Sequence, residues 1–304
     1  MTANYNIDGS PPGDGRFFTI TVSSGKGGVG KTTVSLNIAI ALAQRKRRVV
    51  LLDGDLGLGN INVMLGVRPV KDLSHVIDGK CSLEEALIKG PWGISILPAG
   101  TGYEDMADLE HEARARLLAT LHDLRRLADI LIIDTGAGIG TNVLSFAMAA
   151  DVILVVVTPD VASITDAYSL VKLISQRPGF GRLEMLINRA PSREAGEEVT
   201  VKMRGVVKKF LSRDIAGLGI VPEDQSVQQA LSMRKPLLLS HPKCPASMVL
   251  RSIADKLIAE LRQMELQFKP PQLDARLEKI ISRIDAGEQG EDGLPGAVNG
   301  GEAG

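Results

Sequence analysis

The chain has 304 residues, with 35 Lys+Arg against 36 Asp+Glu, so it carries no global basic field of the kind that coats nucleic acid. Aromatic residues make up 3%, too few for an interface of stacked rings or for base-stacking recognition. A composition of 44% hydrophobic and 23% charged residues is that of an ordinary globular protein, long enough to bury roughly three-quarters of its unfolded surface in one core.

In chain order, residues 1–16, with Pro11, Pro12 and three glycines, read as a flexible lead-in unlike a signal peptide. Apolar runs at 17–22, 49–53, 94–98, 130–134, 152–157, 183–187 and 218–221 read as strands. Helical patterns lie between most of them, at 34–43, 109–127, 164–176 and 199–211, and again at 248–264. Strands this apolar are covered on both faces, which predicts a parallel sheet between helix layers. The expected fold is therefore α/β: a single doubly wound, mostly parallel sheet with helices on both faces over residues 17–266. Its ligand should lie beyond the C-terminal ends of the strands. Residues 267–304 form a tail, in which Pro270-Pro271 breaks the chain, 272–284 has the pattern of a short helix, and 285–304 is Gly/Glu-rich and expected to be disordered. No apolar run approaches membrane-spanning length, and Cys81 and Cys244 form no metal-binding spacing, so reduced thiols and a cytoplasmic setting are expected.

The chemistry is concentrated at the first strand–helix junction. Gly25-Lys26-Gly27-Gly28-Val29-Gly30-Lys31-Thr32 satisfies G-x-x-x-x-G-K-[ST], the nucleotide-binding P-loop. Its glycines let backbone approach phosphate, and the N–H groups of the following helix point at it. Lys31 can reach the β- and γ-phosphates and the Thr32 hydroxyl can ligate Mg²⁺. The second strand ends in Asp53-Gly54-Asp55, which places carboxylates beside the loop for Mg²⁺ and an attacking water. Leu131-Ile132-Ile133-Asp134 is an apolar strand ending in a carboxylate, the Walker B pattern, and Gly136-Ala137-Gly138 after it can move with the γ-phosphate. No [NT]-K-x-D sequence follows the strand ending at Asn188, so guanine recognition is not supported.

Lys26 refines the class, because an ordinary P-loop needs no lysine after its first glycine. The loop Lys26-Gly27-Gly28-Val29-Gly30-Lys31-Thr32 resembles the deviant Walker A of the MinD/ParA family of ATPases. The resemblance extends over about residues 17–261 and includes the segments 53–60, 163–168 and 219–227. It implies ATP and Mg²⁺ as ligands, and an ATP-dependent homodimer in which Lys26 crosses to the partner's phosphates. It further implies that Asp55 orients the attacking water, Thr33 contacts the α-phosphate and Asn188 reads adenine. Pro222, Glu223 and Asp224 would wall the base, while Thr32, Asp55 and Asp134 surround the metal.

Within the family, Asp134-Thr135-Gly136-Ala137-Gly138-Ile139 is more similar to the flagellar-number regulators of the FlhG/FleN type than to the division-site type, which carries a proline before its Ala-Gly pair. The implied partners are a flagellar GTPase, a transcription regulator or a division protein, at the inner face of the membrane. Residues 1–16 lack the Asp-Gln-Ala…Leu-Arg motif of many flagellar members. In the tail, Leu273, Leu277, Ile280, Ile281 and Ile284 share one helical face, which suits either a membrane surface or the protein's own surface. Lys202, Arg204, Lys208, Lys209 and Arg213 form a basic stripe that a ParA-like DNA-partitioning ATPase could use, or that could simply be solvated. An Fe–S carrier or reductase remains a third alternative, one that the cysteine spacing does not favour.

Overall fold

The computed structural model describes residues 17–55, 61–100 and 111–267. Among these, eight strands form one sheet in the order β3-β4-β2-β5-β1-β6-β7-β8. They are β1 (Phe18–Ser24), β2 (Val49–Gly54), β3 (Ile88–Lys89), β4 (Ser95–Leu97), β5 (Ile130–Ala137), β6 (Val152–Val157), β7 (Arg182–Ala190) and β8 (Ala216–Pro222). All neighbours pair in parallel except β3, which runs antiparallel to β4 at one edge. The long helices are α1 (Lys31–Ala43), α5 (His111–Leu127), α6 (Thr141–Ala149), α7 (Val161–Ser175), α8 (Arg193–Leu211) and α11 (Pro245–Gln267). Shorter ones are α2 (Ile61–Leu65), α3 (Leu73–Ile77), α4 (Leu83–Ala86), α9 (Gln225–Ser232) and α10 (Leu237–Ser240).

The two-residue period of the strands sorts their side chains into two layers. Val152, Leu154 and Val156 of β6 face the layer of α1 and α11, whereas Ile153, Val155 and Val157 face α6, α7 and α8. Val49 and Leu51 of β2 likewise face α1, and Val50 and Leu52 face α3 and α5. Such side chains stabilise the fold by about 1.5–3 kcal/mol each when fully buried. Helix α1 is apolar nearly all round because it lies between sheet and α11. Its buried Asn37 is tolerated because it is satisfied at both ends: Nδ2 donates to the Thr33 carbonyl at 2.7 Å, and Oδ1 accepts from Leu238 N at 2.9 Å.

The expected α/β class, sheet and layers are present. The differences are local. Helix α8 starts at Arg193 rather than 199 because Ser192 caps it by accepting from Ala195 N, and Asp160 starts α7 ahead of residue 164 by accepting from Ser163 N. Apolar periodicity marks only the part of a helix that packs, whereas the cap sets its first turn. The same limit hides α3, capped by Asp72, and α4, closed by a capping box of Ser82 and Glu85. Residues 1–16, 56–60, 101–110 and 268–304, and with them the lead-in, part of the 53–60 segment, the first two positions of the 109–127 helix and the tail helix, lie outside the described residues.

Central β1 pairs with β5 on one side and β6 on the other, and the crossovers from β1 to β2 and from β5 to β6 run in opposite directions along the sheet. That is the switch point at which open α/β sheets hold ligands, and the loop 25–30 emerges there.

Candidate functional site

The loop leaves β1 at Ser24 and enters α1 at Lys31. Gly30 takes φ +94 as the cap of α1 and supplies no side chain, and the first turn of the helix holds no acidic residue. The leading N–H groups are thus left for an anion. Gly25 is required by a close approach: a Cβ there would come within 2.2 Å of the Asp166 carbonyl in α7. At Gly30 a Cβ would lie 2.5 Å from Asn188 Nδ2.

Lys31 is buried, and its Nζ donates to Ser24 Oγ at 3.0 Å. Burial pulls its pKa down, while the charges of Asp134 and Asp55 push it back up. Asp134, 1% exposed within β5, accepts from Ser35 Oγ at 2.9 Å and from Thr32. Burial and the neighbouring Asp53 charge lift its pKa to about 7 against the opposing pull of Thr32, Ser35 and Lys31. Asp53 is the Cα partner of Asp134 across β2 and β5. Its carboxylate accepts from Ile61 N at 3.2 Å and from Asp55 N at 3.3 Å, so it fixes the chain around Asp55. Asp55 lies against the last residues of β5, where a Cβ on Gly136 would come 3.1 Å from its Oδ1.

These groups converge as the sequence expects. Lys31, Thr32, Asp55 and Asp134 gather at one end of β1, β2 and β5. A hydroxyl and carboxylates are hard oxygen donors, and a buried carboxylate with an elevated pKa lacks full charge compensation, so the set fits Mg²⁺. Among the described residues no group of three or more His, Cys, Asp and Glu side chains could hold a metal alone. A divalent ion here would share oxygens with its ligand, as Mg²⁺ does on a nucleotide.

A cavity of about 540 Å³ continues from the loop. Gly28, Gly30 and Thr33 line it on one side, and Asn188, Pro222, Glu223 and Asp224 on the other. Asn188 donates from Nδ2 to the Val29 carbonyl at 2.7 Å, tying the end of β7 to the loop. Asp224 has a structural task as well, because its carboxylate accepts from Ser226 N at 2.9 Å and Ala246 N at 3.2 Å, joining α9 to the start of α11. A larger cavity of about 650 Å³ opens at the outer edge of β8, between α8 and α11, and does not reach the loop.

Lys26 is placed differently from the rest. Its Nζ binds Asp160 Oδ1 at 2.9 Å, and both side chains are about half-exposed. Asp160 also accepts from Thr158 Oγ1 at 2.5 Å and Ser163 N at 2.9 Å. The hydrogen bond from Thr158, then those from Lys26 and Ser163, hold its pKa at about 2. Sequence reading missed Asp160, Ser35 and Ser24. Ser35 follows Lys31 by four residues on one helical face and could have been found by that spacing. Asp160 shows only as a helix cap, 134 positions from its partner.

The parallel sheet, the phosphate loop at its switch point and the two converging strand-end aspartates define a P-loop nucleotide-binding protein. The family described as the CobQ/CobB/MinD/ParA nucleotide binding domain matches residues 20–237, and the chain belongs to that family. It is similar to the antiactivator FleN of Pseudomonas aeruginosa, with 41% identity over 78% of this chain and 85% of the relative. Identity to the septum site-determining protein MinD of Bacillus subtilis is 32% over 86% and 96% of the two chains. Among solved structures it resembles MinD of Pyrococcus horikoshii complexed with Mg-ADP, with a TM-score of 0.65 and 25% identity over 81% of this chain and 98% of that one.

Proposed function

We propose that the chain is an ATP-binding and ATP-hydrolysing dimerisation switch that regulates placement, in the flagellar rather than the division branch of its family. One observation carries this reading. Of two lysines in a single loop, Lys31 is buried among the carboxylates, whereas Lys26 is tied to the outer face at Asp160. Val161, 82% exposed, and Ile139, 49% exposed, leave apolar surface at the same end of the sheet. A cation on an apolar rim suits a second copy's phosphates better than its own.

In this reading Lys31 and the N–H groups of the loop and of α1 hold the β- and γ-phosphates, over Gly25 to Thr33. Asn188 and the 222–224 segment hold the base. Thr32, Asp55 and Asp134 would hold Mg²⁺, which when bound neutralises charge on the transferring phosphoryl group. Asp55 orients the attacking water, and Lys26 of the opposite copy completes the charge stabilisation. Gly136 and Gly138 let the turn beside Asp55 follow the γ-phosphate. The 17–266 segment is the ATPase unit, and a membrane contact would rest on the tail.

The flagellar branch is favoured by the missing proline at Gly136-Ala137-Gly138 and by the greater identity to FleN than to MinD. DNA partitioning is disfavoured because two of the α8 lysines are already paired, Lys202 with Glu198 and Lys208 with Asp214. Sedimentation with saturating ATP and Mg²⁺ tests the switch. Asp55→Ala should accumulate as a dimer, and Lys26→Ala should bind ATP yet stay a monomer. An Asp55→Ala chain that remains a single particle overturns the reading. Equal recovery on anionic liposomes in ATP and ADP removes the membrane part.

A further inference from the structure

We propose that Ser35 is a positioning residue: its hydroxyl ties the carboxylate of Asp134 to the helix that holds the phosphates, and so makes Mg²⁺ and nucleotide bind cooperatively. The inference rests on the phosphate and metal reading above and gives a role to a residue that touches neither ligand.

Ser35 stands one turn into α1, on the same face as Lys31, and is fully buried. Its Oγ lies 3.0 Å from the Lys31 carbonyl and 2.9 Å from Asp134 Oδ1. A hydroxyl has one hydrogen to give, so the two acceptors compete for it. The Lys31 carbonyl is already the ordinary helical acceptor of the Ser35 N–H. A carboxylate can only accept, and leaving part of it unpaired in a buried place costs more than a second bond to a satisfied carbonyl gains. The hydrogen therefore goes to Asp134.

Residues of one helical turn thus converge on one carboxylate, Lys31 by its charge, Thr32 and Ser35 by hydrogen bonds. Their tasks diverge once ligands arrive. Lys31 serves the phosphates and the Thr32 oxygen serves the metal, whereas Ser35 has no exposed surface and stays with Asp134. Neither ligand competes for that contact. Asp134 sits on β5 opposite Val22 of β1 and Asp53 of β2, so the bond joins the start of α1 to the middle of the sheet. The leading N–H groups of α1 and the carboxylate then keep one fixed relation, and a ligand that orders one of them orders the other.

Two variants test this. Ser35→Ala removes the hydroxyl, and Ser35→Cys fills the same space with a weak donor. ADP affinity is measured by equilibrium titration in EDTA and in excess Mg²⁺, and Mg²⁺ is titrated into the ADP complex. Both variants should bind ADP in EDTA as the wild type does. Their ADP complexes should bind Mg²⁺ about 10- to 100-fold more weakly, as metal sites do when a supporting hydrogen bond is removed. An equal loss of ADP affinity in Mg²⁺ and in EDTA would make Ser35 a packing residue and overturn the proposal. A Ser35→Cys chain that matches wild type also overturns it, because volume and not the hydrogen bond would then be the cause. Asp134→Asn separates the two levels. If it abolishes the enhancement by Mg²⁺ while both Ser35 variants keep it, only the role of Ser35 falls; if it keeps the enhancement too, the metal reading itself falls.

Discussion

Two lysines five positions apart occupy opposite environments, and the contrast shows how one loop divides its labour. Lys31 begins α1, is buried, and faces Asp134 and Asp55, so its charge is committed to the interior. Lys26 precedes the Gly27-Gly28 turn, stays about half-exposed, and is met by a carboxylate from the far side of the β1–β6 pair. The interior lysine is embedded in strands and helix. The outer one is held by a single displaceable contact. In the proposed reading the fixed cation serves the subunit's own nucleotide and the exposed one serves the second copy.

The largest expected effect separates the two directly. Lys26→Ala should retain ATP affinity within a few-fold but lose about 10³-fold or more in turnover, as for a cation supplied in trans, measured by single-turnover phosphate release. Lys31→Ala should instead abolish the ligand's hold. Removing one member of a buried charge cluster costs roughly 2–5 kcal/mol, so nucleotide affinity should drop by about 30-fold or more in equilibrium titration. Equal effects of the two variants on affinity would dissolve the contrast.

Asn188→Ala probes the cavity beyond the loop. It leaves the Val29 carbonyl without its donor, which should cost about 1–3 kcal/mol in stability by chemical denaturation and weaken ATP more than inorganic triphosphate.

The smallest effect lies far from the loop, where Glu184 of β7 is buried beside the partly exposed Glu260 of α11, near Arg182 and Lys256. Burial first, then the Glu260 charge, raises the Glu184 pKa despite Arg182. A carboxyl with a raised folded-state pKa contributes its stability below the unfolded value, near 4.5, and loses it as pH rises through the folded value. Glu184→Gln should therefore match wild type near pH 4 and melt about 2–4 °C higher at pH 7. A pH-independent difference would contradict this.

Much of the architecture was legible because buried parallel strands are apolar on both faces: the run 152–157 coincides with β6. The loop was legible because only glycines fit where Gly25 meets α7 and Gly30 takes φ +94. Antiparallel β3 was not, since two residues, Ile88 and Lys89, leave no period to detect. Asp160 was hidden for a different reason. Its local pattern is fully explained by capping α7, and nothing along the chain reports that a side chain from the end of β1 arrives beside it. Capping residues at the ligand end of a sheet thus conceal a second role until the strands are placed side by side.

The contact between Gly25 and α7 has a mechanical consequence. With no room for even a methyl group between the glycine and the Asp166 carbonyl, the turn and the helix cannot slide past each other. Whatever tilts one must tilt the other, as with two spokes on a common hub.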